Sequence, residues 1–374
     1  MSDIEVREVA STRKEIKKFV LFAEQVYKGL DHYVPPIYSD QVKMILKGPF
    51  EEIGQKQLFM AYRNGKPVAR ISAHINRAHN DYYKTNQGFF GWFEALEDQE
   101  AVNAIVSTAE KWLKSHGCSD MIGPMNFAIY DEIGMLVNCF DQDPVVLCTY
   151  NPPYYPVLLE NAGFVKEIDW FAYLKDATVE KPIPDVMAKI TKRIESRNNV
   201  TVRYASKKNW EHEVSTVRHI FEEAWAENWG NVPFTDNQWH HVTKELKLIL
   251  KEELAFIVEV DGIPAGFSIT IPDANVAVKK AQGRLFPFGL FKILFGMKKI
   301  KKTRTIIMGV LKEYRKRGFD MVMIQKTIEN GLALGYESSD CSLIVETNER
   351  MIAGLEAISA ERYKTYRIFK RVFK

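Results

Sequence analysis

The sequence predicts an α/β protein made of two tandem copies of one domain, each with a mixed β-sheet and helices on both faces. Residues 59–67 match residues 256–264, and three further pairs of short segments match in the same order at a spacing of about 197 residues. Each copy has a hairpin signal between β-rich runs, Asn64-Gly65 in the first and Asp261-Gly262 in the second. Hairpins come first and alternating strands and helices follow, which is typical of a mixed sheet.

The elements of both copies are predicted in the same order, from the alternation of apolar residues in strands and their helical spacing elsewhere. The first copy has strand 4–9, helices 12–30 and 38–47, hairpin 57–63 with 68–76, strand 89–95 and helix 98–117. The second has strand 200–204, helices 208–228 and 235–252, hairpin 255–260 with 265–271, strand 305–311 and helix 318–335. A strand, a helix and a strand close each copy.

A proline-containing stretch of mixed charge, residues 176–185, predicts the boundary between a first domain 1–176 and a second domain 177–374. Two long inserts interrupt the repeat, residues 123–150 in the first copy and residues 272–303 in the second. Connections of this length usually carry function or are disordered.

The composition is that of a folded globular protein, with 46% hydrophobic, 12% aromatic and 26% charged residues. A net charge of +3 is too small for binding through bulk charge, so no nucleic-acid partner is expected. The four cysteines form no CxxC pair and the eight histidines follow no ligand spacing, so we expect reduced thiols and no metal. Because neither a signal peptide nor a membrane-spanning apolar run is visible, the sequence predicts a cytoplasmic protein.

The most informative segment joins the fourth strand of the second copy to its long helix through a basic turn, Arg315-Lys316-Arg317-Gly318. The first amides of a helix have no intrahelical acceptor and lie at the positive end of the helix dipole. A phosphate binds such amides where a glycine lets the backbone approach, and the basic side chains add charged donors. The segment therefore predicts a site for a phosphorylated ligand.

This turn and the elements around it resemble the GNAT superfamily of acyl-CoA N-acyltransferases, in fold and motif over residues 200–370 and in fold alone over the first copy. The resemblance implies two tandem GNAT-like domains and an enzyme that transfers an acyl group from acetyl-CoA or another acyl-CoA to an amine. It also implies cofactor contacts along the fourth strand, at the pyrophosphate turn and at a downstream asparagine: Met308, Gly309, Val310, Arg315, Lys316, Arg317, Gly318, Phe319, Asp320 and Asn348.

Two residues depart from the superfamily's pattern. Asp320 stands where glycine or alanine is usual and places a carboxylate near a pyrophosphate, and Leu355 stands where a general-acid tyrosine is usual. Tyr363 or Tyr366, from the last strand, is the expected substitute for that tyrosine. Glu346, at the end of the fifth strand, is the candidate base for the amine, against the alternatives of an exposed strand-end carboxylate and of no protein base.

The first copy lacks the basic turn, because residues 96–100 after its fourth strand are rich in carboxylates that repel a pyrophosphate. We therefore expect one cofactor site, in the second copy, and a degenerate first copy that shapes the acceptor side. Polar residues in and just after the apolar first insert are the candidates to bind a small-molecule or peptide amine: Asn126, Asp131, Glu132, Asn151 and Tyr154. Asp131 and Glu132 also compete with Glu346 as the base. The alternative is a surface loop anchored by its apolar side chains.

Residues 283–302 combine an apolar run with lysines near its end. One interpretation is a peripheral contact with an anionic membrane surface or an acyl groove. The other is a helical cover that packs on the sheet and leaves a basic end in solvent.

Two other functions remain open for the whole chain. One is a catalytically inactive acyl-CoA-binding or interaction module of the same fold, which the departures at Asp320 and Leu355 favour. The other is an enzyme that uses aminoacyl-tRNA, which the modest net charge disfavours. The sequence leaves the oligomeric state open.

Overall fold

A computed structural model describes residues 4–197 and 199–374 and divides them into two compact units. Unit 1 contains residues 4–170, 277–296 and 364–374, and unit 2 contains residues 171–276 and 297–363. The units differ from the predicted domains 1–176 and 177–374 because residues 277–296 and most of the last strand fold with unit 1, and residues 171–176 with unit 2. Residues 1–3 of the predicted first domain and Asn198 of the second lie outside the described residues.

The first half of the chain alternates short helices with long strands. Its elements are β1 (Ile4–Glu8), α1 (Arg13–Leu21), α2 (Ala23–Val26), α3 (Tyr38–Lys47), α4 (Phe50–Ile53), β2 (Gly54–Arg63), β3 (Lys66–Asn76), α5 (Arg77–Tyr83), β4 (Gln87–Ala95), α6 (Gln99–Ser115), β5 (Asp120–Gly123), β6 (Met135–Leu136), α7 (Tyr155–Asn161) and β7 (Val165–Asp176).

The second half repeats this order and adds helices of its own. Its elements are α8 (Asp185–Arg197), β8 (Val200–Tyr204), α9 (Trp210–Trp225), α10 (Asp236–Ile249), β9 (Ala255–Val260), β10 (Ile263–Pro272), α11 (Asn275–Val278), α12 (Gly289–Met297), β11 (Lys302–Val310), α13 (Phe319–Ala333), β12 (Ser338–Val345), α14 (Glu349–Ala357) and β13 (Glu361–Val372).

In unit 1 the strands β1 to β5 are neighbours in numerical order, and the end of β13 pairs antiparallel with β5. β4 and β5 run parallel, but they pair only over residues 87–89 of β4, and β4 then continues to Ala95. Their pairing therefore opens toward the carboxyl end of β4. The core of the unit is apolar and fully buried around this sheet, with Phe19, Phe59, Phe90, Ile105 and Phe369 at its centre.

In unit 2 the strand order is β12, β11, β10, β9 and β8, and residues 171–176 of β7 lie beside β12. The parallel pair β11 and β12 is hydrogen-bonded only from Lys302 to Thr305, opposite Ser338 to Cys341. β11 then continues to Val310 without a β12 partner in the described part of the chain. Each unit thus contains a fork between its fourth and fifth strands.

The mixed α/β fold with a repeated element order is confirmed. Both predicted hairpins are present, and the turn residues Asn64, Gly65, Asp261 and Gly262 have φ angles of 50°, 75°, 53° and 78°. Two positive φ angles in succession give the turn the twist that the flanking strands require.

Helices α4, α5, α8 and α11 were not predicted, and α8 is the longest of them. The proline-containing stretch after β7 leads into α8, whose buried residues Met187 and Thr191 lie four positions apart on one face. Thr191 donates a hydrogen bond to Gln325 of α13. Neighbouring charged residues obscured this apolar spacing in the sequence.

The second insert contains α11 and α12. Within residues 4–197 and 199–374, no helix has the length and apolar character needed to cross a bilayer.

Candidate active site

The turn between β11 and α13 leaves five successive backbone donors open. Gly318 stands at the N-cap of α13 with a left-handed φ of 83°, and no side chain caps the helix there. In the described part of the chain, the amides of residues 316–320 make no hydrogen bond. Left-handed residues beside helical ones make anion-binding concavities of backbone amides. The turn is therefore equipped to accept phosphate oxygens.

The three basic side chains of the turn are used differently. Arg315 donates a hydrogen bond to the carbonyl of Ala224 (2.8 Å), near the end of α9, and lies 3.7 Å from the Glu227 carboxylate. It therefore ties the turn to α9. Lys316 and Arg317 are exposed, and the Arg317 guanidinium lies over the Tyr314 ring at 5.4 Å. These two side chains give the turn its accessible positive charge.

Asp320, the unexpected carboxylate, is directed to a cation instead of to the turn. Its Oδ2 accepts a hydrogen bond from Arg350 Nε at 3.0 Å. Because Arg350 offsets its charge, Asp320 does not neutralise the open amides. The departure from the superfamily's pattern at this position therefore leaves the open amides of the turn available to an anion.

The predicted pantetheine strand has a free edge beyond the fork. Met308, Gly309 and Val310 pair with β10 on one side, whereas the side toward β12 has no strand partner among the described residues. A Cβ on Gly309 would come within 3.2 Å of Ala224 Cβ and 3.0 Å of the Phe267 ring. Glycine at this position therefore lets α9 approach β11.

A buried polar network that sequence analysis missed lies at the fork of unit 2. Asp340 is fully buried on β12 opposite Arg304, and it accepts hydrogen bonds from the hydroxyls of Ser342 and Tyr363. Arg304 donates to the Ser342 hydroxyl and carbonyl at 3.1 and 3.0 Å. A lone aspartate in the run Ser338-Ser-Asp-Cys-Ser342 was the available signal, but serine-rich segments usually indicate loops.

The three predicted catalytic residues are divided between the two units. Glu346 follows the end of β12 in unit 2 and is half-buried. Tyr363 lies in unit 2, whereas Tyr366 lies in unit 1, fully buried opposite Leu136. The structure thus brings Tyr363 to the Asp340 network and places Tyr366 in a core.

The positions downstream of the fork have structural roles. Asn348 caps α14 by accepting a hydrogen bond from the Met351 amide at 3.2 Å. Leu355 is buried among apolar residues of α13, α14 and β7. A hydroxyl at position 355 would have to be buried in this apolar cluster, which is why the superfamily's tyrosine has no place there.

Two of the predicted acceptor residues of unit 1 contact each other, and the other three bond backbone groups. Asn126 and Glu132 lie together, since Asn126 Nδ2 donates to Glu132 Oε2 at 2.9 Å while its Oδ1 accepts from the Trp92 amide at 2.8 Å. Asp131 accepts from the Ala128 amide at 3.0 Å, within its own turn. The Asn151 side chain accepts a hydrogen bond from the Leu136 amide and donates one to the Leu136 carbonyl. The Tyr154 hydroxyl donates to the Ala95 carbonyl at 2.9 Å.

Sequence analysis missed the partners of Glu132 in unit 1. Glu94 accepts a hydrogen bond from the Tyr155 hydroxyl at 2.6 Å, and Arg70 lies 3.4 Å from the same carboxyl group. Burial raises the pKa of both Glu94 and Glu132, and their mutual repulsion adds to the shift of Glu132. The signal was present, because Glu94 and Arg70 are isolated charges in otherwise apolar strands.

In unit 1, a carboxylate of the chain caps the helix that follows β4. Asp98 caps α6 by accepting from the Ala101 amide at 3.0 Å, and Arg63 donates to both of its oxygens at 2.7 Å. The hydrogen bonds from Arg63 lower the pKa of Asp98 below its usual range. An anion that belongs to the chain therefore occupies the helix N-terminus.

No cluster of three or more His, Cys, Asp or Glu side chains suited to a metal ion occurs in residues 4–197 and 199–374.

Two curated relatives match almost the whole chain. Protein YghO of Escherichia coli strain K12 is 30% identical over 369 residues, which cover 96% of this chain and 93% of that protein. A protein named bacterial ceramide synthase, from Caulobacter vibrioides, is 31% identical over 369 residues, which cover 96% of this chain and 95% of that protein. No protein-family model matches the sequence.

Solved structures support the fold. The chain superimposes on a tandem GNAT protein from the clavulanic acid biosynthesis pathway with a TM-score of 0.58 at 10% identity, covering 99% of this chain and 98% of that one. A GCN5-related N-acetyltransferase from Sphaerobacter thermophilus gives 0.52 at 11% identity, with 99% and 95% covered. The predicted tandem GNAT-like arrangement is therefore confirmed. The chain belongs to the family of YghO and bacterial ceramide synthase and has the fold of a tandem GNAT protein.

Proposed function

We propose that the protein is an acyltransferase that moves an acyl group from acyl-CoA to the amine of a long-chain amino alcohol, forming an amide. The observation that carries this proposal is the turn at residues 316–320, where the amides are open and the neighbouring carboxylate of Asp320 is held by Arg350. This arrangement suits the diphosphate of coenzyme A. The GNAT fold of the chain is consistent with acyl transfer.

In this proposal, unit 2 supplies the groups for the reaction. The free edge of β11 at residues 306–310 offers backbone groups to an extended pantetheine arm, as a strand edge does to a peptide. In this arrangement the thioester lies toward the fork, where the Asp340 network is found. Alignment of the amine with the thioester carbonyl would supply a large part of the rate.

The reaction transfers one proton from the amine and one to the leaving group. The amine nitrogen attacks the thioester carbon, the C–N bond forms, the C–S bond breaks, and the thiolate takes up a proton. We assign the proton donor to Tyr363, whose hydroxyl is held by buried Asp340. Glu346, in the same unit, is the proposed acceptor of the proton that the nitrogen releases. Glu346 then releases this proton to solvent, and Tyr363 regains one from solvent.

The acceptor class rests on the relative named bacterial ceramide synthase. A ceramide is the N-acyl derivative of a long-chain amino alcohol, so this class of amine is the first one to assay. The predicted acceptor residues of unit 1, Asn126 and Glu132, remain candidates to recognise the amine, because they bring an amide and a carboxyl group together.

The proposal is tested by binding and turnover measured on the same preparation. An acyl-CoA at a hundred times its dissociation constant should stabilise the protein by roughly 2.7 kcal/mol in a thermal scan. Free thiol should then appear only when acyl-CoA and a long-chain amino alcohol are both present. Stabilisation without thiol release would support the alternative, a non-catalytic acyl-CoA-binding module, and no stabilisation by any acyl-CoA would refute both.

Tyr363→Phe tests the proton donor. We expect kcat to fall about a hundredfold, with an unchanged KM for acyl-CoA. A proton donor must be protonated, so the kcat of the wild type should decline at high pH, and this decline should be absent in the variant. Tyr204→Phe is the matched control, since the Tyr204 hydroxyl donates to Asn330 at 3.0 Å elsewhere in unit 2. Equal activity of Tyr363→Phe and the control would remove Tyr363 from the mechanism.

A further inference from the structure

The most unusual surface of the molecule lies on and just before α12, in unit 1. Six large apolar side chains are between 43% and 82% exposed there: Phe286, Phe288, Leu290, Phe291, Leu294 and Phe295. Single exposed apolar residues are normal, but a contiguous group of this size marks a surface that binds something. We call these six residues the apolar surface.

The orientation of α12 is the reverse of that in an ordinary amphipathic helix. Its small residues face the protein, because a Cβ on Gly289 would collide with the Arg284 carbonyl and one on Gly296 would come within 2.8 Å of Ala277 Cβ. Its bulky aromatic and aliphatic residues face outward. The predicted interpretation of this segment as a cover that buries its apolar residues on the sheet is therefore wrong for these six side chains.

The segment is firmly held at its base. The Tyr38 amide donates to the Gly283 carbonyl at 3.1 Å, Arg284 pairs with Glu24 at 2.7 Å, and Lys279 pairs with Asp143 at 2.6 Å. All of these residues belong to unit 1. The apolar surface is thus presented by a fixed framework, which lowers the entropic cost of binding to it.

The charge around the apolar surface identifies its partner. Residues 277–296, which carry the apolar surface in unit 1, contain four Lys and Arg and no Asp or Glu. Lys280 and Lys292 are exposed and have no acidic partner among the described residues. Outward aromatic residues beside two exposed lysines fit the surface of an anionic bilayer, where apolar side chains enter below the charged headgroups.

We propose that the apolar surface docks the protein on an anionic membrane, with α12 lying in the plane of the headgroups. The inference goes beyond the proposed reaction and does not depend on it, because vesicle binding is measured without acyl-CoA or amine. Its consequence for the reaction is access to acceptors that dissolve in lipid and not in water.

Vesicle flotation tests the proposal with the full chain. The protein should float with phosphatidylcholine vesicles that contain about 30% phosphatidylglycerol, weakly or not at all with pure phosphatidylcholine, and less as salt rises. The variant Phe288→Ser/Phe291→Ser/Phe295→Ser should bind the anionic vesicles at least about tenfold more weakly. Lys280→Gln/Lys292→Gln should reduce the preference for anionic vesicles.

The control replaces two scattered apolar residues that are equally exposed, Leu248→Ser/Ile263→Ser in unit 2, and should bind like the wild type. Thermal scans check that the variants fold. Equal flotation of the triple variant and the wild type, or no flotation of the wild type, would overturn the proposal. So would a wild-type dimer that the triple variant converts to monomer, without vesicle binding, since the surface would then join two copies of the chain.

Discussion

The helices that follow the fourth strand of each unit begin with opposite chemistry on the same fold. In unit 2, α13 begins at Gly318, which offers no side chain to its own helix, and the amides of residues 316–320 stay open. In unit 1, α6 begins at Asp98, whose carboxylate bonds the Ala101 amide and is itself held by Arg63. One unit thus has open helix-terminal amides, and in the other a carboxylate of the chain accepts from such an amide.

This difference teaches how one copy of a duplicated domain can lose a ligand without losing its fold. A helix N-terminus interacts equally well with a side-chain carboxylate and with a bound phosphate, because both satisfy the same donors and the same dipole. The carboxylate stabilises the unit permanently, whereas the phosphate does so only when the ligand is present. Unit 1 has the first arrangement, and we propose the second for unit 2.

The largest effect is expected when unit 2 is given the cap of unit 1. Gly318→Asp places a carboxylate at the N-cap, and Gly318→Asn is its isosteric neutral control, because both residues tolerate a left-handed φ. Both also meet Ile194, whose Cδ1 lies 2.5 Å from the Cβ position. The charge alone should weaken acyl-CoA binding about a hundredfold, equivalent to about 2.7 kcal/mol. Isothermal titration with acyl-CoA measures the difference.

Two outcomes of this experiment would contradict the comparison. If both variants bound acyl-CoA as the wild type does, the turn would not be the diphosphate site. If both lost binding equally while remaining folded, the shape of the turn and not its charge would decide affinity. Thermal scans without ligand show whether either variant is unfolded.

The contrast between the turns could be predicted from the sequence, because it depends on neighbouring residues. Residues 315–318 and 96–100 reveal the charge of each turn, and the hairpin turns revealed the repeat that aligns them. The direction of Asp320 could not be predicted, since its partner Arg350 lies thirty positions away on another helix. The same limit hid the Asp340 network, whose members come from β11, β12 and β13.

The unit boundary also escaped sequence analysis for a physical reason. The repeat locates the copies along the chain, but the last strand pairs Phe369 with Gly123, which belongs to the first copy. Periodicity identifies a strand without identifying its neighbour in the sheet. Apolar segment 283–302 was ambiguous in the same way, because its outward aromatic residues have the composition of a buried helix.

A smaller effect, on stability, is expected from the cap of unit 1. Asp98→Ala removes the acceptor of the Ala101 amide and leaves Arg63 without its bidentate partner, so unit 1 should lose about 1–2 kcal/mol. Asp98→Asn keeps a capping oxygen and should lose less. Chemical denaturation measures both, and acyl-CoA binding should be unchanged in each. A fall in acyl-CoA affinity with Asp98→Ala would mean that unit 1 takes part in holding the nucleotide.

The smallest effect is expected from neutralising the carboxyl group of Glu132 in unit 1. Burial raises the pKa of Glu132, so its contribution to stability is fully present below the pKa of the unfolded chain and is lost as the pH rises through the higher folded value. Glu132→Gln keeps an acceptor for Asn126 Nδ2 and cannot ionise. As the pH rises from about 4, the variant should therefore become progressively more stable relative to the wild type. Denaturation across this range, with Glu97→Gln as the control for net charge, measures the trend. A constant difference, or one that shrinks toward high pH, would show that the Glu132 carboxyl group is stabilised in its charged form.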